Sequence, residues 1–206
     1  MGKEEKIRVL GIVCSPRRGG NTEILVNEAL LGSSQMGGET ELLLISEYAI
    51  EPCDSCRTCR ATGRCHIEDD MQAIYPKLLE ADGIIIGSPV HFWSVSGQAK
   101  VLIDRTYSLL YPKLQMRNKV GGAIAVATTS GCRNALDVLN TYFLYQNMYV
   151  VGHGVAAHGG EKGAVREDVE AMKESRELGK RVVRLASQRF RMPKEFEVTI
   201  SRAVKK

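Results

Sequence analysis

The stretch that decides the fold is residues 7–22, which reads IRVLGIVCSPRRGGNT. Its first half, residues 7–14, is a mostly apolar and β-branched run that predicts a buried strand. A glycine-containing turn follows, and an amphipathic stretch predicts a helix from about Asn21 to Met36. A strand that leads through a glycine-rich turn into a helix is a typical opening unit of a parallel α/β sheet.

The rest of the chain repeats this alternation of short apolar runs and amphipathic stretches. Pro76 falls inside one predicted helix and predicts a kink or an early end there. Right-handed crossovers on both faces would give a doubly wound, three-layer α/β sandwich with a five-stranded parallel sheet. The later strands are predicted at residues 40–45, 83–87, 120–127 and 149–155, and the later helices at residues 69–80, 98–110, 134–146 and 164–188.

The 206 residues are enough for one domain with a full core, and 44% hydrophobic with 25% charged residues is a globular composition. We predict one domain over residues 1–188, with an irregular insert at residues 46–68, and a basic tail at residues 189–206. That tail holds six basic and two acidic residues, which accounts for the whole net charge of +4. Its sequence predicts no basic helix face, so nucleic-acid binding is not predicted.

No apolar window approaches the length of a membrane span, and the first residues lack the pattern of a signal peptide. We therefore expect a soluble, cytoplasmic protein without a membrane partner. The six cysteines would then lie in a reducing compartment, where clustered cysteines favour metal or redox chemistry over disulfides.

The loop after the first strand reads SPRRGGNT at residues 15–22. Its glycines allow the backbone to approach a ligand closely, and the N–H groups of the first helical turn converge on an anion. The spacing is neither GxGxxG nor a Walker loop. A capped turn that only connects a strand to a helix is the alternative. We predict a phosphate site formed by Ser15, Arg17, Gly20, Asn21 and Thr22.

Two further loops should meet this one, because the carboxyl ends of parallel strands share one edge of the sheet. Residues 88–97, SPVHFWSVSG, offer an apolar and aromatic flank with backbone groups, as a flat amphipathic ring system requires. Phe92 and Trp93 are core aromatics in the alternative interpretation, and Trp93 also suits a subunit interface. The loop after the fourth strand offers hydroxyl groups and a glycine through Thr128, Thr129, Ser130 and Gly131.

The runs SPRRGGNT and SPVHF resemble the flavodoxin-like NADPH-dependent FMN reductases over about residues 6–185. The resemblance implies that the first loop holds the FMN phosphate and that Ser96 lies near the phosphate or the ribityl chain. No catalytic side chain is predicted. The chain departs from the family at residues 132–135, CRNA, where relatives usually carry more glycines. The side chains that would line the flavin ring are Pro89, Val90, His91 and Phe92.

Four cysteines separated by two, two and five residues lie in the insert, which reads CDSCRTCRATGRC at residues 53–65. A bacterial ferredoxin run starts with the same spacing, whereas structural zinc sites usually take two pairs separated by a longer gap. We predict an iron–sulfur cluster, with zinc and then disulfides as alternatives. Arg57, Arg60 and Arg64 would offset its negative charge, and Cys14 and Cys132 are interpreted as buried packing residues. The predicted ligands are Cys53, Cys56, Cys59 and Cys65.

A cysteine quartet after the second strand of such a domain resembles the iron–sulfur flavoproteins of anaerobic archaea and bacteria. The resemblance implies one FMN and one [4Fe–4S] cluster per subunit, in a homodimer or homotetramer where the cluster of one subunit faces the FMN of another. We therefore expect an electron-transfer flavoprotein that passes electrons between a ferredoxin-like carrier and a small-molecule acceptor. An NAD(P)H-dependent FMN or quinone reductase with a structural or vacant cysteine site is one alternative, and a redox-sensing interaction protein is another.

Overall fold

The computed structural model describes residues 6–193, and their central feature is a parallel sheet with strand order β2–β1–β3–β5 followed by β6 and β7. The order is that of a doubly wound sheet with its switch point between β1 and β3. The short strand β4 pairs antiparallel with the end of β3 and forms a hairpin beyond the sheet. The strands are β1 Arg8–Val13, β2 Glu39–Leu44, β3 Gly83–His91, β4 Ser94–Val95, β5 Val120–Ala127, β6 Tyr149–Val150 and β7 Val155–His158.

Helices cover both faces of the sheet and bury two separate apolar clusters. One cluster packs α1 and α6 against residues such as Val9 and Ile85, and the other packs α3, α4 and α5 against residues such as Leu10 and Ile84. Neighbouring residues of a strand point to opposite faces of the sheet, so one strand contributes side chains to both clusters. The predicted three-layer sandwich is confirmed. The helices are α1 Asn21–Gln35, α2 Cys59–Thr62, α3 Met71–Glu80, α4 Gly97–Arg105, α5 Cys132–Tyr145 and α6 Val169–Ser187.

Two glycines let α1 and α6 approach until their backbones touch. A Cβ atom on Gly179 would lie 1.7 Å from the carbonyl oxygen of Ala29, and one on Gly32 would lie 1.9 Å from that of Arg176. The contact therefore has no room for a side chain. It fixes α1, whose N-terminus faces the phosphate loop, against the rest of the layer.

The single strand predicted at residues 149–155 is wrong, because the chain pairs with β5 in two pieces. β6 pairs with Val120 and Gly121, whereas β7 pairs with residues 124–127. Gly154 between them has a φ of +94°, and a Cβ there would lie 2.5 Å from the carbonyl oxygen of Ala123. This left-handed glycine produces the interruption, and β7 continues to His158 at the carboxyl edge.

Several element ends also differ from the predictions. β3 continues past residue 87 because Ser88 and Pro89 still pair with β5. The helix predicted at residues 98–110 is α-helical only to Arg105 and continues as a 3-10 helix, Thr106–Leu110. The early end predicted at Pro76 is wrong, since α3 runs through it to Glu80.

The sequence after α6 is described only as far as residue 193. There the Arg189 side chain lies 3.1 Å from a carboxylate oxygen of Asp82, and the Phe190 ring packs against Tyr149. The rest of the predicted basic tail, residues 194–206, lies outside the described residues. None of the helices between residues 6 and 193 has both the length and the apolar character to cross a membrane.

Candidate cofactor sites

The loops after β1, β3, β5 and β7 meet around a cavity of about 220 Å³ at the carboxyl edge of the sheet. This is where ligands bind in doubly wound sheets. Residues of the sequence-predicted flavin site that do not line the cavity are Phe92, Ser96, Thr129, Ser130 and Gly131. Those that do are Ser15, Arg17, Gly20, Asn21, Thr22, Pro89, Val90, His91 and Thr128.

The cavity carries positive charge without a compensating carboxylate. Arg17 and Lys162 both line it, and among residues 6–193 neither side chain makes an ion pair. Lys162 comes from the turn after β7, and its Nζ lies 3.2 Å from the point where a Cβ on Gly19 would sit. Sequence reasoning missed this lysine, because 140 residues separate it from the phosphate loop.

The N-terminus of α1 adds backbone donors to these cations. Gly20 is the N-cap and has no side chain to cover the N–H groups of the first turn. Those groups lack partners inside the helix, and the helix dipole favours a negative charge in front of them. Unpaired cations and open N–H groups around one cavity fit a phosphate dianion.

Asn21 holds the turn that carries Lys162. Its side-chain amide donates to the carbonyl oxygens of Gly159 at 2.9 Å and Glu161 at 2.8 Å. Its side-chain oxygen accepts the N–H of Gly163 at 2.7 Å. The Asn21 side chain is therefore committed to the turn, and the group it leaves for an anion is its backbone N–H.

The β3–β4 hairpin carries two aromatic residues at its tip. Phe92 and Trp93 form a two-residue turn with φ values of 46° and 58°, and they are 97% and 61% exposed. The interpretation of both as core aromatics is wrong. Gly131 supports the hairpin, since a Cβ there would lie 2.8 Å from Val90 Cγ1 and 3.1 Å from Trp93 Cα. Whether Phe92 covers a flavin ring stays a prediction.

Ser96 is fully buried and connects the flavin loops to α4. Its hydroxyl donates to the carbonyl oxygen of Cys14 at 2.6 Å and accepts the N–H of Ala99, which caps the helix. Its own N–H donates to the hydroxyl of Ser88 at 2.9 Å. The side chain therefore fixes the loops, and the structure does not bring it to the phosphate cavity.

Cys14 and Cys132 pack into the protein as predicted. Both are buried, and burial raises the pKa of Cys14 to about 12. Burial also raises the pKa of Cys132, whose thiol donates to the carbonyl oxygens of Ala125 and Ala157. Thiols held protonated in this way are poor nucleophiles and poor metal ligands.

The four predicted ligands Cys53, Cys56, Cys59 and Cys65 all line a second cavity, of about 620 Å³. All four are free thiols. Cys59 begins α2 and is buried, and its pKa is raised by burial and by the thiols of Cys65, Cys56 and Cys53. The other three sulfurs therefore lie within electrostatic range of Cys59. Gly63, with a φ of 71°, makes the predicted turn before Cys65.

The sulfurs of the metal-free chain do not form a ready-made site for a single ion. A zinc–sulfur bond of about 2.3 Å places the sulfurs of a tetrahedral site roughly 3.8 Å apart. Within residues 6–193, no three of the four cysteine sulfurs lie within 4.8 Å of each other. A cubane places its ligand sulfurs on four different iron atoms, so wider spacing fits it. Four thiols are a donor set that fits a [4Fe–4S] cluster and also a structural zinc ion.

A second set of possible ligands, which shares Cys56 with the four cysteines and lines the same cavity, has its atoms close enough together for a single ion. Ligand atoms of Asp54, Cys56 and His66 lie within 4.8 Å of each other, and the His66 Nε2 is 2.8 Å from an Asp54 oxygen. All three are exposed, and His66 and Asp54 already contact each other. Sequence reasoning missed His66, although its position next to Cys65 was a signal.

Two of the three predicted arginines face the cysteines. Arg57 and Arg60 line the cavity, and the Arg60 guanidinium lies 5.7 Å from the ring centre of Tyr107, whose hydroxyl accepts its Nε–H at 2.8 Å. Arg64 instead pairs with Glu68 on the outside, at 3.3 Å. Two cations at the wall can offset the negative charge of four thiolates and a cluster.

A doubly wound sheet with unpaired cations and helix N–H groups at its switch point defines a mononucleotide-binding protein of the flavodoxin-like class. Residues 7–162 match the NADPH-dependent FMN reductase family, and the chain belongs to that family. The protein is therefore a flavin-dependent oxidoreductase, and both its family and its phosphate pocket support FMN as the cofactor.

The chain is similar to iron-sulfur flavoproteins of two archaea and to a solved flavodoxin. It is 40% identical over 185 residues to the iron-sulfur flavoprotein MJ1083 of Methanocaldococcus jannaschii, covering 85% of this chain and 95% of the relative. It is 33% identical over 178 residues to an iron-sulfur flavoprotein of Methanosarcina thermophila, covering 85% and 93%. The solved WrbA-like flavodoxin of Agrobacterium tumefaciens has a TM-score of 0.63 at 19% identity, covering 89% and 99%, which shows the shared fold.

Proposed function

We propose that the protein is an electron-transfer flavoprotein that binds FMN and a [4Fe–4S] cluster and connects a ferredoxin-like carrier with a small-molecule acceptor. The observation that carries the proposal is the four free thiols that line one cavity, which are the donor set that such a cluster requires. The names of the relatives from Methanocaldococcus jannaschii and Methanosarcina thermophila support it. When bound, FMN supplies one- and two-electron chemistry and the cluster single-electron chemistry.

The chain's own residues bind and tune these groups. Arg17, Lys162 and the first turn of α1 would neutralise the phosphate, and the side chain of Asn21 would keep the Lys162 turn in place. The cysteines must lose their protons to act as ligands. Arg57 and Arg60 at the cavity wall favour the thiolates by charge.

The test begins with protein purified anaerobically. We expect flavin absorption bands with a broad iron–sulfur shoulder, and about four iron and four sulfide per chain, as the composition of the cluster requires. Flavin bands without iron or sulfide would refute the proposal. Zinc without sulfide would instead support a structural metal site in the cysteine cavity.

The family description favours one second candidate, an NAD(P)H-dependent FMN or quinone reductase. Stopped-flow absorbance separates the two functions, because it follows bleaching of the flavin after mixing with either reductant. Rapid stoichiometric bleaching by NADPH would support the reductase. Bleaching by reduced ferredoxin, with NADPH slower by at least about 100-fold, would support electron transfer.

We also propose a homodimer or homotetramer as the functional unit. Phe92 and Trp93 are exposed at the flavin edge, and Leu144 and Tyr145 are 61% and 64% exposed on α5, where Tyr145 also lines the cysteine cavity. Large exposed apolar side chains at both sites are typical of surfaces that meet a partner. Light scattering coupled to size-exclusion chromatography would measure the mass, and a monomer with both cofactors bound would refute this assembly.

A further inference from the structure

Arg105, the last residue of α4, has a fully buried side chain. Its guanidinium donates to the carbonyl oxygen of Glu51 at 2.7 Å and to that of Ile67 at 3.3 Å. It also forms a two-pronged ion pair with the Asp69 carboxylate. Glu51 lies two residues before Cys53, and Ile67 lies two residues after Cys65.

Asp69 also accepts hydrogen bonds from the backbone on both sides of the cysteine segment. One of its oxygens accepts the N–H of Glu51 at 2.8 Å, and the other accepts the N–H of Met71 at 3.0 Å. The neighbouring Asp70 accepts the N–H of Ala49 at 2.7 Å. The Arg105–Asp69 pair therefore holds the chain on both sides of the cysteine segment at one point.

Between these points Arg60 binds the Tyr107 hydroxyl and His66 binds Asp54. Near the second point, the Gln72 amide also donates to the carbonyl oxygens of Cys65 and Ile67. Residues 51–58 are exposed, and the segment's regular structure is the single turn α2. A loop without an apolar core stays ordered only if its ends are fixed. Lysine cannot replace this arginine, because only a planar guanidinium supplies several N–H groups in a fixed fork.

We propose that Arg105 is the positioning residue of the cysteine loop and holds residues 51–67 closed in the metal-free chain, so that the four thiols face one cavity before iron arrives. This role rests on the proposed function, because it assigns the loop to a cluster. The same helix begins at Ser96, which is bonded to the flavin loops. A single helix thus fixes the cysteine loop relative to the flavin edge.

The experiment uses full-length protein with FMN bound and metal removed by a chelator. Hydrogen exchange is followed by mass spectrometry in the wild type, R105K and D69N. R8M is the matched control, because Arg8 forms an exposed ion pair with Glu80. We expect residues 49–70 to exchange at least about 10-fold faster in R105K, with α1 and α6 unchanged and R8M like the wild type. D69N keeps an acceptor in place and should give a smaller increase at the same residues.

Thiol alkylation of the same samples gives a second readout. Buried Cys59 should react slowly in the wild type and approach the rate of exposed Cys53 in R105K, while FMN affinity changes by less than about twofold. Reconstitution with iron and sulfide should then be at least about fivefold slower in R105K. Lysine keeps the charge, so a defect in R105K assigns the role to the guanidinium fork.

Either of two results would overturn the proposal: loop exchange in R105K equal to the wild type, or an equal rise in exchange across α1 and α6. If R105K does not fold, the exchange and alkylation of D69N decide by the same criteria. Wild-type protein that takes up no iron and sulfide would refute the proposed function. The exchange and alkylation results are obtained without metal, so they would still report whether Arg105 closes the loop.

Discussion

Replacement of Lys162 by methionine tests the phosphate pocket most directly. Methionine keeps the length and apolar stem of the side chain and removes the charge. Lys162 lines the same cavity as Arg17, and no described carboxylate pairs with it, so its charge is available to a ligand. The affinity for FMN should therefore fall while the affinity for riboflavin, which lacks the phosphate, should not.

The size of the loss follows from charge and exposure. Two unit charges 4 Å apart attract each other by about 4 kcal/mol at an effective dielectric constant of 20. Lys162 is exposed, and exposed pairs contribute only about 0.2–1 kcal/mol because water and salt screen them. The phosphate carries up to two charges, so we expect a loss of about 1–2 kcal/mol. That corresponds to a roughly 5- to 30-fold higher Kd.

Titration of the apoprotein with each flavin, followed by quenching of flavin fluorescence, measures both affinities. Lys173→Met on α6 is the matched control and should change neither. Asn21→Ala should lose part of the same FMN affinity, and the double variant should lose less than the sum, because Asn21 acts by holding the Lys162 turn. Equal losses for FMN and riboflavin in Lys162→Met would refute the assignment.

Three further predictions concern the cysteine loop and the helix layer. Cys59→Ala should lose iron and sulfide but change FMN affinity by less than about twofold, measured by metal analysis and the same titration; equal loss of both cofactors would contradict separate sites. Gly179→Ala should lower the Tm by roughly 3–10 °C in calorimetry, because its Cβ would overlap the Ala29 carbonyl. Burial favours a higher pKa for Asp69, but hydrogen bonds from Arg105 and two backbone N–H groups outweigh it and leave its pKa below the usual value. That stabilisation is present above about pH 4 and is lost as the pH falls through the lowered pKa, so D69N should flatten the acid branch of a Tm–pH profile.

The fold could be predicted from the sequence because its strands are short, apolar and separated by clear turn signals. The strand at Val120–Ala127 matches the prediction at both ends. The division of the last strand could not be predicted, because it depends on the approach of Gly154 to the carbonyl group of Ala123 on a neighbouring strand. The run YVVGHGV at residues 149–155 does not show by its sequence alone whether it pairs once or twice.

Some residues of the candidate sites could be predicted from the sequence, and others could not. Ser15, Gly20 and Thr22 were predictable because they share one loop, and local sequence determines how a strand enters a helix. Lys162 and Arg105 were not, because each reaches its site only through the crossover topology. Nothing near Arg105 in the sequence separates it from an ordinary arginine at the end of an amphipathic helix.

The topology itself explains how the two sites are connected: the flavin loops lie at the carboxyl edge of the sheet, and the cysteine cavity is lined by the C-terminal ends of α4 and α5. β2, β1 and β3 are adjacent and parallel, so the cysteine segment after β2 starts beside the flavin loops after β1 and β3. α4 leaves those loops at Ser96 and reaches the cysteine segment at Arg105, a distance of about 14 Å for nine helical residues. The spacing between the two sites within one chain is therefore set by a rigid helix with a hydrogen-bonded anchor at each end. A change in the length of α4 would move the cysteine loop away from the flavin edge, whereas changes in the exposed segment itself would leave that spacing intact.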